Sequence, residues 1–142
     1  MNETVIKFGY PETLVREYEH WVVLVRPSQP TLGSLVLAAK SDATEYHDLP
    51  DAAFAELKQV VIAIERALRE FTDYAKINYL MLMMVDPHVH YHVIPRYDGA
   101  RAWNALAFED AGWPAVPALG EAVKLDPAGI AAMRTALSSR FA

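Results

Sequence analysis

Residues 88–96 read His-Val-His-Tyr-His-Val-Ile-Pro-Arg, so three of the chain's five histidines stand at alternate positions of an otherwise apolar, β-branched and aromatic run. Successive side chains of a β-strand point to opposite faces, which projects His88, His90 and His92 the same way at intervals of about 7 Å. One face of that strand is therefore a row of polar chemistry, while the other is free to enter a core.

Three chemistries suit such a row. Neutral imidazoles can ligate a metal such as zinc, with water completing the coordination. Alternatively, one imidazole is a nucleophile that attacks phosphorus while its neighbours orient it, bind the transferred group or move protons, so that one difficult displacement becomes two easier ones. The third reading is plain packing of hydrogen-bonded histidines in a core. Three imidazoles on one face each need a partner if buried, and burying all three idly is costly, which counts against the last reading.

The rest of the sequence narrows the setting. A chain of 142 residues, 53% of them hydrophobic, fits one domain over residues 1–142 with a sizeable core. Its net charge of −5 and lack of any Lys/Arg cluster argue against nucleic acid as a partner. With no cysteine, the sequence excludes disulfides, thiolate zinc sites and a cysteine nucleophile. The first residues form no basic start followed by a long apolar core, and no stretch reaches the ~20 apolar residues of a membrane span. These features predict a soluble, cytoplasmic protein with no membrane partner.

Short β-prone runs at 4–8, 13–18 and 21–25 predict an antiparallel start, with Gly9-Tyr10-Pro11 as the first turn. A loop containing Pro27, Pro30 and Gly33 leads to another strand at 34–39. Phe54, Leu57, Val61, Ile64, Leu68 and Phe71 recur in steps of three and four and predict a long helix, capped by Asp48 or Asp51 with Pro50 in its first turn. Residues 78–85 read as a strand, Asp86-Pro87 as the break before the histidine strand, and Pro95-Arg96 as its end. Residues 98–126 are too rich in proline for regular structure and predict a covering segment, followed by a short helix from Asp126-Pro127 through Ile130, Met133 and Leu137.

The pattern His88-Val-His90-Tyr-His92-Val-Ile resembles the signature of the histidine triad (HIT) superfamily, and the likeness extends over roughly residues 20–97, through the loop to Gly33, His47-Asp48-Leu49 and the long helix. The resemblance implies an α+β fold: a HIT-like antiparallel five-stranded sheet, a long helix and a short C-terminal helix, usually paired as a homodimer with a continuous ten-stranded sheet. It implies a nucleotide hydrolase or nucleotidyl transferase acting on the α-phosphate of dinucleoside polyphosphates, nucleoside phosphoramidates or nucleotide sugars. His90 would be the nucleophile that forms a nucleotidyl-histidine intermediate, and His88 and His92 its companions. No cofactor is implied beyond magnesium carried by the substrate. The alternative is a nucleotide-binding or interaction protein on the same fold with weak or lost catalysis.

Three positions depart from the family's pattern. Ser34 follows Gly33 where many relatives have a fourth histidine; its hydroxyl can hydrogen-bond His88 or phosphate but does not titrate near neutrality. Arg26 stands where relatives commonly contact ribose with Asp or Asn; it cannot accept a hydrogen bond, though it can pair with phosphate. Met83 and Met84 fall where an amide often touches phosphate. Arg96, directly after the triad strand, is a candidate to counter phosphate charge or to pair with a carboxylate such as Asp98 or Glu109. His47 reads as a structural or dimer contact at the helix start, His20 as a surface residue, and Trp103 and Trp113 as packing aromatics that could also stack on a base or reach a partner subunit.

Overall fold

A computed structural model describes residues 1–141. In chain order the elements are α1 (Glu3–Lys7), β1 (Leu14–Glu17), β2 (Trp21–Val25), β3 (Ser28–Gln29), β4 (Leu35–Ala39), α2 (Asp51–Thr72), β5 (Lys76–Leu80), β6 (His90–Arg96), β7 (Ala100–Trp103), β8 (Leu106–Glu109), β9 (Val123–Lys124) and α3 (Pro127–Ser138). The fold is α+β: an antiparallel five-stranded sheet in the order β1-β2-β4-β6-β5, with the long helix α2 and the C-terminal helix α3. No helix among the described residues is long and apolar enough to cross a membrane.

Alternation along the central strands assigns each face. Val23, Leu35, Leu37, Val89 and Val93 join Val60, Ile64, Ala67 and Leu68 of α2 in the main core. Val22, Leu24, Val36 and Ala38 form a second cluster with Val5 on the opposite face, which is also the face of His90 and His92. On α2, the buried seam runs through Ala53, Val60, Ile64, Ala67 and Leu68, whereas Phe54 is exposed. The seam therefore shares Ile64 and Leu68 with the large apolar residues that advertise the helix, and Ala53, Val60 and Ala67 complete it while Phe54 turns outward.

The loop before β4 depends on Gly33. Its φ of +88° favours glycine, and a Cβ there would meet Thr72 Oγ1 at 2.7 Å, where the end of α2 packs against the turn. Thr72 also donates to Leu32 O at 2.9 Å, tying helix to loop.

Several sequence expectations are corrected. Residues 4–8 are not a strand: Asn2 Oδ1 accepts from the Val5 N–H at 3.0 Å and caps α1, with Glu3 and Lys7 at the ends the helix dipole favours. A five-residue helix is too short to show its period, and its β-branched residues imitate a strand. Neither Asp48 nor Asp51 caps α2; Pro50 occupies the cap position without a side-chain hydrogen bond, and Asp51 lies in the first turn. The strand expected at 78–85 is β5, and it stops at Leu80; Met83 then adopts φ of +49°, and Met84 and Val85 are exposed. The covering segment contains the hairpin β7–β8 and the short strand β9, which pairs with β3.

Candidate active site

β6 begins at His90, so His88 leads into the strand and His90 and His92 lie on it. The rings of His90 and His92 are 5.2 Å apart and nearly perpendicular. His90 is 2% exposed and His92 8%, and both line a cavity of about 140 Å³ with residues 82–86. At about 30 Å³ per water, that space suits a phosphoryl group.

Backbone geometry fixes the tautomer of His90. Its Nδ1 lies 2.7 Å from the carbonyl oxygen of His88. A carbonyl only accepts, so Nδ1 carries the proton and, in the neutral ring, Nε2 holds the free electron pair. His88 is held from elsewhere in the chain: its own N–H donates to Thr4 Oγ1 at 3.3 Å, and that hydroxyl lies 2.9 Å from His88 Nδ1. The Thr4 hydroxyl can donate to Nδ1 while accepting from the backbone, an arrangement that would present His88 Nε2–H as a donor.

His92 has the opposite problem. Its Nδ1 is buried without a hydrogen-bond partner. Burial, then the nearby Arg26 cation and His90, push its pKa down to about 4, against a smaller opposing pull from Asp86. His92 therefore stays neutral at physiological pH and serves as a hydrogen-bonding group rather than a cation.

Arg26 shares this face. It follows β2, and its N–H donates to Ser34 O at 3.1 Å. Nη1 donates to Ser28 O at 2.6 Å, while Nε is buried without a partner. Among the described residues no carboxylate pairs with Arg26. Burial lowers its pKa, so Arg26 is a half-buried cation with no carboxylate to offset it among the described residues.

The structure gathers His88, His90, His92 and Arg26 but engages Ser34 and Arg96 otherwise. Ser34 is fully buried, and its hydroxyl donates to Thr31 O at 2.9 Å while accepting from the Thr31 N–H at 3.3 Å. Arg96 grips Asp110 through Nε at 2.7 Å and Nη2 at 3.1 Å, rather than Asp98 or Glu109. Met81 and Met83 pack against the main core, whereas Met84 is 86% exposed beside the histidine cavity. His20 flanks β2, its N–H donating to Glu56. Trp103 stacks edge-on against Phe71, and His47 sits on an exposed turn with Glu45 and Asp48, their ligand atoms within 4.8 Å of one another.

Sequence reasoning missed the contribution of α1. Besides Thr4, Lys7 pairs with Asp86 at 2.6 Å, and Phe8 lies over the histidines with ring centroids 5.4 Å from His90 and 5.8 Å from His92. Thr4 and His88 are 84 residues apart, so no local spacing could announce the contact.

A HIT domain family profile matches residues 8–99. No curated protein matches the chain significantly in sequence. Among solved structures, a histidine triad protein from Sinorhizobium meliloti 1021 superposes with a TM-score of 0.75 at 19% identity, over 99% of this chain and 95% of that one. One from Bradyrhizobium japonicum gives 0.71 at 22% identity, over 100% and 97%. A hypothetical histidine triad nucleotide-binding protein from Sulfolobus tokodaii gives 0.69 at 16% identity, over 97% and 89%. Likeness at such identity is one of fold.

Proposed function

The chain belongs to the HIT family, and on that footing we propose that it is a nucleotide hydrolase or nucleotidyl transferase in which His90 attacks the α-phosphorus of its substrate. The observation that carries this reading is the 2.7 Å contact from His90 Nδ1 to the His88 carbonyl, which aims an unprotonated Nε2 away from the strand.

In the first step a bond forms between His90 Nε2 and phosphorus, and the bond from phosphorus to the bridging oxygen or nitrogen breaks; the leaving group departs with that electron pair and takes its proton from solvent water. In the second, water or another acceptor attacks phosphorus, its proton passes to solvent water, and the N–P bond returns its pair to Nε2. His88 Nε2–H donates to phosphoryl or bridging oxygen, neutral His92 hydrogen-bonds the transferred group, and Arg26 offsets the phosphate charge. Ser34 and Arg96 act through architecture: one shapes the turn before β4, the other the segment beyond β6. Magnesium would arrive on a polyphosphate substrate, since Asp86, the carboxylate lining the cavity, is already paired with Lys7.

The reading places the protein in the cytoplasm as a homodimer. β5 is one of the two edge strands of the sheet, its outer edge unpaired among the described residues and open to strand addition by a second copy, and Phe54 and Ile62 leave exposed apolar surface on α2.

The test is to mix enzyme with α-labelled diadenosine tetraphosphate and quench under burst conditions. Acid-labile, base-stable label on the protein is expected in wild type, and a loss of turnover of roughly 10⁴-fold or more in His90→Ala. Absence of label, or undiminished turnover in that variant, overturns the reading.

A further inference from the structure

The histidine face continues past His92 to the sheet's edge. Leu80 pairs with His92, Asn78 with Ile94 and Lys76 with Arg96 across β5 and β6. Residues directly opposite in an antiparallel pair share a face, so Leu80, Asn78 and Lys76 extend the histidine row by about 13 Å. Over this row lies a cavity of about 750 Å³, walled on its other side by residues 113–117. Its floor begins at Leu80, beside His92, which itself lines the smaller phosphoryl-sized cavity.

Arg96 builds the wall. Besides its bidentate grip on Asp110, its Nη1 donates to Asn78 Oδ1 at 2.8 Å and its Nη2 to Ala115 O at 2.8 Å. Arg96 and Asp110 are 4% and 7% exposed, so this is a buried, hydrogen-bonded pair that pins the proline-rich segment over the sheet. Asn78 thereby spends its oxygen on Arg96 and keeps its amide N–H donors for the cavity. Trp113 presents a partly exposed indole, and Lys76 an ammonium group that no carboxylate pairs among the described residues.

We propose that this trough is a leaving-group subsite that takes the distal nucleoside of a dinucleoside polyphosphate, its base against Trp113 and its anionic chain in reach of Asn78 and Lys76. The proposal rests on the reading of His90 as nucleophile and selects among its substrate classes. An ammonia or simple amine leaving group would leave the cavity empty, whereas a volume of 300–1,000 Å³, largely apolar and with a few polar groups, suits a drug-sized aromatic ligand. An aromatic face beside a cation is also the pairing that a base followed by phosphates calls for.

Calorimetry on the full chain tests it, using a methylene-bridged, non-hydrolysable diadenosine tetraphosphate and AMP as probes. Wild type is expected to bind the dinucleotide roughly 10-fold or more tightly than AMP, and Trp113→Ala to bring the two within about twofold while AMP affinity holds. Lys76→Gln, at an exposed position, should reduce the preference in part and stands in if Trp113→Ala does not fold. Equal binding of both probes by wild type, or an undiminished preference in both variants, overturns the proposal. So does a shift between monomer and dimer in Trp113→Ala with the preference intact, which would make the trough a seat for a second copy. A Trp113-dependent preference without label on His90 would keep the subsite and reject the catalytic reading; label and turnover without a preference would do the reverse.

Discussion

On one side of the sheet, Val23, Leu35, Leu37 and Val93 meet Val60, Ile64 and Leu68 of α2 in a continuous apolar core; on the other, Val22, Leu24, Val36 and Ala38 share their face with His90 and His92 under a five-residue helix. The first side gains stability from each contact it makes. The second holds buried polar atoms, His92 Nδ1 and Arg26 Nε, that have no partner. Burial of an unpaired polar group costs on the order of 1–3 kcal/mol, so the histidine face is maintained against its own energetics by the side that packs well. That division predicts where mutations act. Ile64→Ala, in the helix seam, should cost roughly 2–5 kcal/mol in chemical denaturation and leave kcat near wild type. His92→Ala should do the opposite, lowering turnover with little change in stability, since it removes an orphaned imidazole nitrogen. Comparable stability losses in both variants would break the contrast.

A smaller effect tests how α1 serves the polar side. Thr4→Val keeps shape but removes the hydroxyl that meets His88 Nδ1. The expected loss in kcat/KM is about 10-fold, the worth of one buried hydrogen bond, with Thr4→Ser restoring most of it. A merely structural threonine would not alter the ring's proton, so the deciding readout is the pair of ¹⁵N shifts of His88: Nε2–H in wild type and in Thr4→Ser, and a mixture of tautomers in Thr4→Val. Unchanged shifts in the valine variant would remove Thr4 from the site.

The same contrast explains what could be read from the sequence. The apolar side is built of local patterns, so β2 and β4 are legible as continuous apolar runs of strand length, α2 from steps of three and four, and α3 from Asp126-Pro127 at a helix start. The triad is legible because its three members share one strand period. What surrounds it comes from distant segments: Thr4 reaches His88 across 84 residues, and Arg96 finds Asp110 at 14. Glu109 and Asp98 are equally reasonable partners by composition, yet it is Asp110, the residue directly after β8, that meets Arg96. Ser34 illustrates the same point at short range, since a hydroxyl three residues after Thr31 turns inward to close its own loop instead of facing a histidine. Local pattern specifies elements, whereas the polar contacts of a site depend on how those elements are folded back.

The smallest effect follows from Arg26. In the unfolded chain His92 titrates near its ordinary 6.5, and in the fold at about 4, chiefly through burial and then through Arg26. The unfolded state thus binds more protons between these values, and stability falls as pH drops from about 6.5 toward about 4, being fully present above that window. Arg26→Gln removes the like charge but not the burial, so an NMR titration should find the His92 pKa raised yet still below 6.5, with a correspondingly shallower loss of stability in acid. Because burial is the larger cause, the variant that would bring His92 back to its ordinary value is one that opens the face itself, such as Phe8→Ala, which uncovers a ring whose centroid lies 5.8 Å from that of His92. A wild-type His92 that titrates at or above 6.5 would mean that the histidine side is as well solvated as an exposed loop, and the two faces would differ in composition but not in energetics.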